Sequence, residues 1–257
     1  MPRQSDPATA RIRAVHDISD IGLRHTMEDR HVLEIRPEIG LFGGVYDGHG
    51  GLEAAEIVAA SLHEAFFEAL EAGLHPIEAF RQSYRVVEGR LQRTDSGATA
   101  ATIFFRKDDL HFAHVGDAEI LLVGTGPMPL TRAHRVDDPS ERSRIIMAGG
   151  QIEGGYVVRG PRGLMPTRSF GDSHFRSIGV MAVPTVGERR ISLDDRFLVV
   201  ACDGLFDVLE GEDIVRVLLG SSGAREGAET LRDEVLARGG TDNLTILVIE
   251  FQPGSAQ

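Results

Sequence analysis

Three apolar segments of this chain run directly into an aspartate that stands beside a glycine, and a fourth is entered through one. Residues 41–46 lead into Asp47-Gly48, residues 112–115 into Gly116-Asp117, and residues 197–202 into Asp203-Gly204, while Asp242-Asn243 stands just before the apolar run 244–251. Runs of this length read as buried strands, whose ends are fixed in space, and glycine there lets a ligand approach the backbone closely. A single Asp-Gly is a common turn dipeptide. Carboxylates gathered at the ends of four buried strands are a different matter, because they repel and cannot all ionise unless a cation neutralises them. Oxygen-only clusters select hard cations, Mg²⁺ or Mn²⁺ before zinc.

The rest of the chain reads as one unit around those strands. Ile12, Ala14, His16 and Ile18 alternate as in a half-buried strand. Over 52–71, Ala55, Val58, Ala59, Leu62, Phe66 and Leu70 recur at helical spacing. A second helix over 76–92 has Pro76 near its start, where a missing N–H costs nothing. Residues 99–105, 110–115 and 120–123 read as successive strands, and 139–148, 214–219 and 224–237 as helices. The run 196–202 is too apolar to have a wet face, so it belongs at the centre of a sheet. Helices segregated from antiparallel strands give an α+β fold, a β-sandwich with helices outside. Residues 1–10 and 252–257 are expected to be frayed tails around a single domain spanning 11–251.

Composition narrows the function. Asp and Glu total 39 against 27 Lys and Arg, a formal net charge of −12, which argues against nucleic acid and against an anionic membrane surface. Trp is absent and aromatics are 6% of the chain, too few for base-stacking platforms. The single cysteine, Cys202, excludes an internal disulfide and a cysteine-based zinc site. No run reaches the ~18–20 apolar residues of a membrane span, and the first residues lack the apolar core of a secretory signal. These features lead to the expectation of a soluble, cytoplasmic protein.

Residues 24–29, Arg-His-Thr-Met-Glu-Asp, set an arginine four positions ahead of Glu28-Asp29, and such an arginine can hold an anionic oxygen in a forked geometry. Together with Val45-Tyr46-Asp47-Gly48-His49-Gly50-Gly51, Ser96-Gly97-Ala98-Thr99-Ala100, Val115-Gly116-Asp117, Thr167-Arg168-Ser169-Phe170-Gly171-Asp172, Ala201-Cys202-Asp203-Gly204 and Thr241-Asp242-Asn243-Leu244, this segment resembles the metal-dependent protein serine/threonine phosphatases, the PPM or type 2C family. The seven blocks keep the family's order across nearly the whole chain. The resemblance implies a central antiparallel β-sandwich flanked on both sides by helix pairs. It also implies two ions, Mg²⁺ or Mn²⁺, bridged by Asp47, with the Gly48 carbonyl and Glu28 on one side and Asp203 and Asp242 on the other. Asp117, with Asp203, matches a weaker third metal position. Arg24 would hold the phosphate and His49 would be the general acid, with Asp29, Thr99 and Asn243 in support.

The implied reaction is hydrolysis of phosphoserine or phosphothreonine by direct attack of a water bridging the two ions, on phosphoprotein substrates, by a monomer. Two alternatives belong to other classes: an inactive phosphatase-like regulatory module, and a hydrolase of small phosphate esters. The presence of Glu28, Asp47, Asp203, Asp242 and His49 argues against the first. Cys202 is expected to be structural. His16, His31, His63, His75, His111 and His114 are read as packed or surface residues without partner spacing. His134 follows Ala133 where the family often has aspartate. Arg168 and Asp172 are expected to stabilise the core beside the site. Residues 149–183, rich in glycine and carrying Arg159, Arg162 and Arg176, read as a solvated loop matching a variable flap of the family.

Overall fold

The computed structural model describes residues 11–252; the expected tails at 1–10 and 253–257 lie outside the described residues. Strands β1 (Ile12–Asp20), β2 (Arg30–Arg36), β3 (Gly40–Tyr46) and the short β4 (Gly48–His49) precede helices α1 (Glu53–Glu71) and α2 (Pro76–Arg90). Next come β5 (Gly97–Ala98), β6 (Ala100–Arg106), β7 (Asp109–Val115), β8 (Glu119–Val123), β9 (Pro127–Pro129) and α3 (Pro139–Met147). A small meander of β10 (Gln151–Glu153), β11 (Tyr156–Arg159) and β12 (Arg162–Leu164) leads to β13 (Phe170–Gly171), a 3₁₀ segment at Ser173–Ile178, and β14 (Thr185–Arg190). The chain ends with β15 (Phe197–Ala201), α4 (Asp203–Phe206), α5 (Gly211–Gly220), α6 (Ala224–Ala237) and β16 (Leu244–Phe251).

Two five-stranded antiparallel sheets, ordered β1-β16-β15-β8-β9 and β14-β7-β6-β3-β2, form the sandwich. The period-2 geometry of a strand explains why β3 carries no polar residue. Leu41 and Val45 join the core between the sheets, whereas Phe42 and Tyr46 point into the layer of α1 and α2. A strand covered on both faces has no wet side to alternate with. On the helix side, Phe66 stacks 4.4 Å from Phe80, 5.1 Å from Phe104 and 5.3 Å from Phe42, centroid to centroid. On the opposite face, α6 packs over β1 and β16. The result is the expected α+β arrangement.

The structure corrects several boundaries and one segment. The helix expected at 214–219 begins at Gly211, because Glu212 and Asp213 in its first turn complement the N-terminal dipole. β14 escaped notice because it is an edge strand of sequence TVGERR with little apolar content. Residues 149–183 are not a plain solvated loop. Strands β10, β11 and β12 pair antiparallel there, and Val157, Leu164, Phe175 and Val180 bury against Val136 and Ile145. Its arginines are engaged: Arg159 donates to the His174 carbonyl and to Ser177 Oγ, and Arg176 pairs with Glu88 at 2.6 Å. Strands of three and four residues are too short to show a period in sequence.

Phe66 is fully buried among four rings. Phe66→Ala is therefore expected to lower stability by about 3–5 kcal/mol in urea denaturation. Leu193→Ala, at a side chain that is 61% exposed, should change it by less than about 0.5 kcal/mol.

Candidate metal centre and active site

Antiparallel register decides where the acidic residues meet. In one sheet Val45 pairs with Ala101 and Ala100 with Val115, so the ends of β3 and β7 lie together and deliver Asp47 and Asp117. In the other, Ala201 pairs with Ile246 and with Glu119, which sets Asp203 beside the start of β16, where Asp242 stands. Carboxylate oxygens of Asp47, Asp117 and Asp203 lie within 4.8 Å of one another. They line a hollow of about 840 Å³ whose walls include Arg24, Glu28, Gly48, His49, Thr99, Asp172, Asp242 and Asn243. All the principal residues named from sequence thus face one cavity. Asp29 sits behind it, buried.

Glu28 and Asp242 stand on the wall outside the tight trio. Glu28 accepts from Thr26 Oγ1 and from the Gly51 N–H, each at 3.2 Å. Asp242 accepts from Arg24 at 2.6 Å. Asn243 organises this wall: its Oδ1 accepts from the Glu28 N–H, and its Nδ2 donates to the carbonyls of Ile21 and Thr26. Gly48 is required by space, because a Cβ there would lie 2.4 Å from the Glu28 carbonyl oxygen. Thr99 donates its N–H to the Asp47 carbonyl at 2.9 Å.

The electrostatics of the cluster are those of a site short of positive charge. Burial, and then the charges of Asp203, Asp29 and Asp117, push the Asp47 carboxyl well above the usual range. Burial with Asp117 and Asp207 raises Asp203 to about 7, and burial alone is the largest cause of the rise of Asp29 to about 6. The buried Oδ2 of Asp29 and Oγ1 of Thr99 have no hydrogen-bond partner. An oxygen-only donor set with carboxyls driven toward protonation fits a hard divalent cation.

Sequence reading missed two residues here. Arg135 donates to Asp117 Oδ2 at 2.7 Å, to Asp203 Oδ2 at 3.1 Å and to Asp207 at 2.9 and 3.0 Å, supplying one internal positive charge. It comes from a loop 18 residues beyond Asp117, and nothing in its local sequence points to this contact. The second is Asp172, expected only to support the core. Its Oδ2 lies 2.8 Å from His49 Nε2 and also accepts from Ser169 Oγ. His49 sits on β4, paired through Gly97 of β5 in the three-stranded sheet β13-β5-β4. A Cβ on Gly97 would come within 2.1 Å of both His49 Nε2 and Asp172 Oδ2, so only glycine lets that pair form. Burial pulls the His49 imidazolium down, but the hydrogen bond and charge of Asp172, with Asp117 and Glu28, outweigh it and leave it raised.

Arg168, by contrast, lies in the core beside the site: its guanidinium clamps the buried Glu141, which also accepts from Thr167. Cys202 is fully buried, its Sγ accepts from the Thr245 N–H, and burial pushes the thiol well up, so it is inert. His134 does its work without an aspartate before it. It stacks on His114 at 4.2 Å, and its Nδ1 accepts from the Gly116 N–H, bracing the turn that carries Asp117.

Comparison with known proteins agrees with this geometry. A family model described as Protein phosphatase 2C matches residues 17–244. The chain is similar to "Probable protein phosphatase 2C 11" of Arabidopsis thaliana, 35% identical over 243 residues, covering 90% of this chain and 64% of that protein. It is also similar to "Probable protein phosphatase 2C 59" of the same plant, 33% identical over 244 residues, covering 91% and 78%. The chain therefore spans just under two thirds of the length of the first relative. The fold is shared with the crystal structure of serine-threonine phosphatase 2C from Toxoplasma gondii, with a TM-score of 0.80 at 22% identity over 96% of this chain and 97% of that one. A matched family model over most of the sequence, joined to converging strand-end carboxylates, shows that the chain belongs to the protein phosphatase 2C family.

Proposed function

We propose that the protein is a metal-dependent phosphatase that hydrolyses phosphoserine and phosphothreonine esters of proteins, acting as a cytoplasmic monomer built from a single domain over 11–251. The observation that carries this reading is the trio Asp47, Asp117 and Asp203, with ligand oxygens within 4.8 Å, next to the His49–Asp172 pair in one open hollow. Among the described residues no helix is long and apolar enough to cross a membrane.

Asp47, Glu28, the Gly48 carbonyl, Asp203 and Asp242 would hold a pair of Mg²⁺ or Mn²⁺ ions, and Asp117 with Asp203 would hold a weaker third. Bound there, such a pair lowers the pKa of a shared water toward neutrality and offsets the charge of the phosphate. The chain's own groups do the remainder. Arg24, exposed at the rim and now paired with Asp242, offers a planar fork for the non-bridging oxygens. His49 gives a proton to the departing serine oxygen, a contribution of roughly 10²–10⁴-fold. Asp172 holds the ring through Nε2, leaving Nδ1 as the other ring nitrogen, and favours the protonated form that an acid needs. Asp172 is thus a positioning residue.

Removal of divalent ions by chelation should abolish hydrolysis of an aryl phosphate, and added Mn²⁺ or Mg²⁺ should restore it. Asp203→Asn should cost several orders of magnitude in kcat while circular dichroism shows the fold intact; near-normal turnover would remove Asp203 from the site. Asp172→Asn removes the negative partner that holds the His49 pKa up, so that pKa falls. Because the acid must be protonated, activity is lost as pH rises through its pKa, and the alkaline limb of the kcat profile should move to lower pH. His49→Gln should slow a phosphoserine peptide by about 10²–10⁴-fold and an activated aryl ester far less; equal slowing would contradict the acid role.

A further inference from the structure

Histidines read from sequence as unpartnered come together outside the acidic hollow, on the helix-side face of the sheet. His111 on β7 and Glu188 on β14 are direct cross-strand partners, so their side chains leave the same face of the sheet. His75, the residue before α2, reaches the same point from the connection between α1 and α2. His111 Nε2 lies 3.5 Å and His75 Nε2 3.9 Å from the same oxygen, Glu188 Oε2. The three ligand atoms all fall within 4.8 Å of one another, and the imidazoles meet edge to face at 5.4 Å.

From this we infer that His75, His111 and Glu188 form a second metal site, one for a late first-row divalent ion such as Zn²⁺ rather than for Mg²⁺ or Mn²⁺. Two imidazoles and one carboxylate are a nitrogen-rich donor set, which suits zinc and its neighbours, whereas the catalytic hollow offers oxygen alone. Tetrahedral zinc with bonds of about 2.0–2.1 Å sets its donors roughly 3.4 Å apart, close to two spacings already present. His75 and Glu188 are 60% and 61% exposed and free to close the remaining gap, while His111, at 11%, is fixed by the sheet.

No arginine or lysine pairs with Glu188 among the described residues; its ion-pair partners are the two histidines. A superficially similar group, Glu34, His63 and Glu64, differs on this point. Arg36 already donates to Glu34 at 2.6 Å and to Glu64 at 2.7 Å, so a guanidinium competes with any ion for both carboxylates.

Occupancy has a structural consequence and a cost. An ion held by His75, His111 and Glu188 pins the start of α2 to the edge strand of the sheet. The site lies six residues along β7 from Asp117, on the order of 20 Å at the usual rise of a strand. A neutral imidazole bound through Nε2 carries its proton on Nδ1. His75 therefore gives up the long 3.4 Å bond that its Nδ1 accepts from the Ile77 N–H, which limits affinity.

The test is equilibrium dialysis of the full chain against Zn²⁺ in excess Mg²⁺, comparing the native protein with a His75→Asn, Glu188→Gln variant. Asparagine keeps a helix cap, both positions are exposed, and circular dichroism checks that the variant folds. Zinc taken up by the acidic hollow is common to both proteins and cancels. The native chain should bind one more equivalent than the variant, and Zn²⁺ should raise the melting temperature of the native chain more than that of the variant. Phosphatase activity in Mg²⁺ alone should be the same in both. Equal zinc uptake by the two proteins would overturn the site.

Discussion

Antiparallel pairing within two stacked sheets brings the ends of β3, β7 and β15 and the start of β16 to one end of the sandwich, and with them four carboxylates. Everything else at that end answers the resulting excess of negative charge. The cost is visible in Asp47 and Asp203, whose carboxyls are driven toward protonation by burial and then by neighbouring acids, Asp203, Asp29 and Asp117 for the first and Asp117 and Asp207 for the second. Part of the compensation is internal, since Arg135 spans Asp117, Asp203 and Asp207 and Arg24 holds Asp242. Two guanidiniums against so many acids leave the balance negative, which is the physical reason that the site suits divalent cations.

Rigidity is the second requirement, because a cluster of like charges relaxes apart unless its supports resist. The supports are strands buried on both faces: β3, β15 and β16 have no exposed residue. Asn243 adds a polar brace, fastening the loop of Ile21 and Thr26 to the backbone of Glu28. Gly48 and Gly97 permit backbone approaches that a Cβ would block. The site therefore stands on the best-packed part of the molecule, and the flexible-looking glycines serve close contact.

Sequence made the aspartate cluster legible because Asp47, Asp117, Asp203 and Asp242 each announce themselves twice, as an aspartate and as a neighbour of the end of an apolar run. His49 was found only through the motif it belongs to. Its partner Asp172 lies 123 residues away, and Arg135 reaches the acids from an otherwise unmarked loop. Contacts made by tertiary closure leave no periodicity behind. The meander over β10 to β12 was hidden for another reason: its strands are too short for alternation to register, and their glycine turns resemble those of an irregular loop. The sandwich and its helix layers were legible because α1 carries its buried face at regular helical steps, and because strands covered on both sides are continuously apolar.

Strand β7 shows how one element can carry two kinds of site without confusing them. It bears His111 on its helix-side face and His114 on the opposite face, while its end turns through Gly116 into Asp117. His114 is buried and stacked on His134, and burial holds it down to about 4, so it remains neutral and serves as packing. His111 also has a second imidazole beside it, but differs by the carboxylate that the edge strand supplies directly across. The same residue type on one strand is thus a spacer at one position and a donor at the other. What decides between them is the residue across the strand pair: Glu188 brings a negative charge opposite His111, and Thr185 brings none opposite His114.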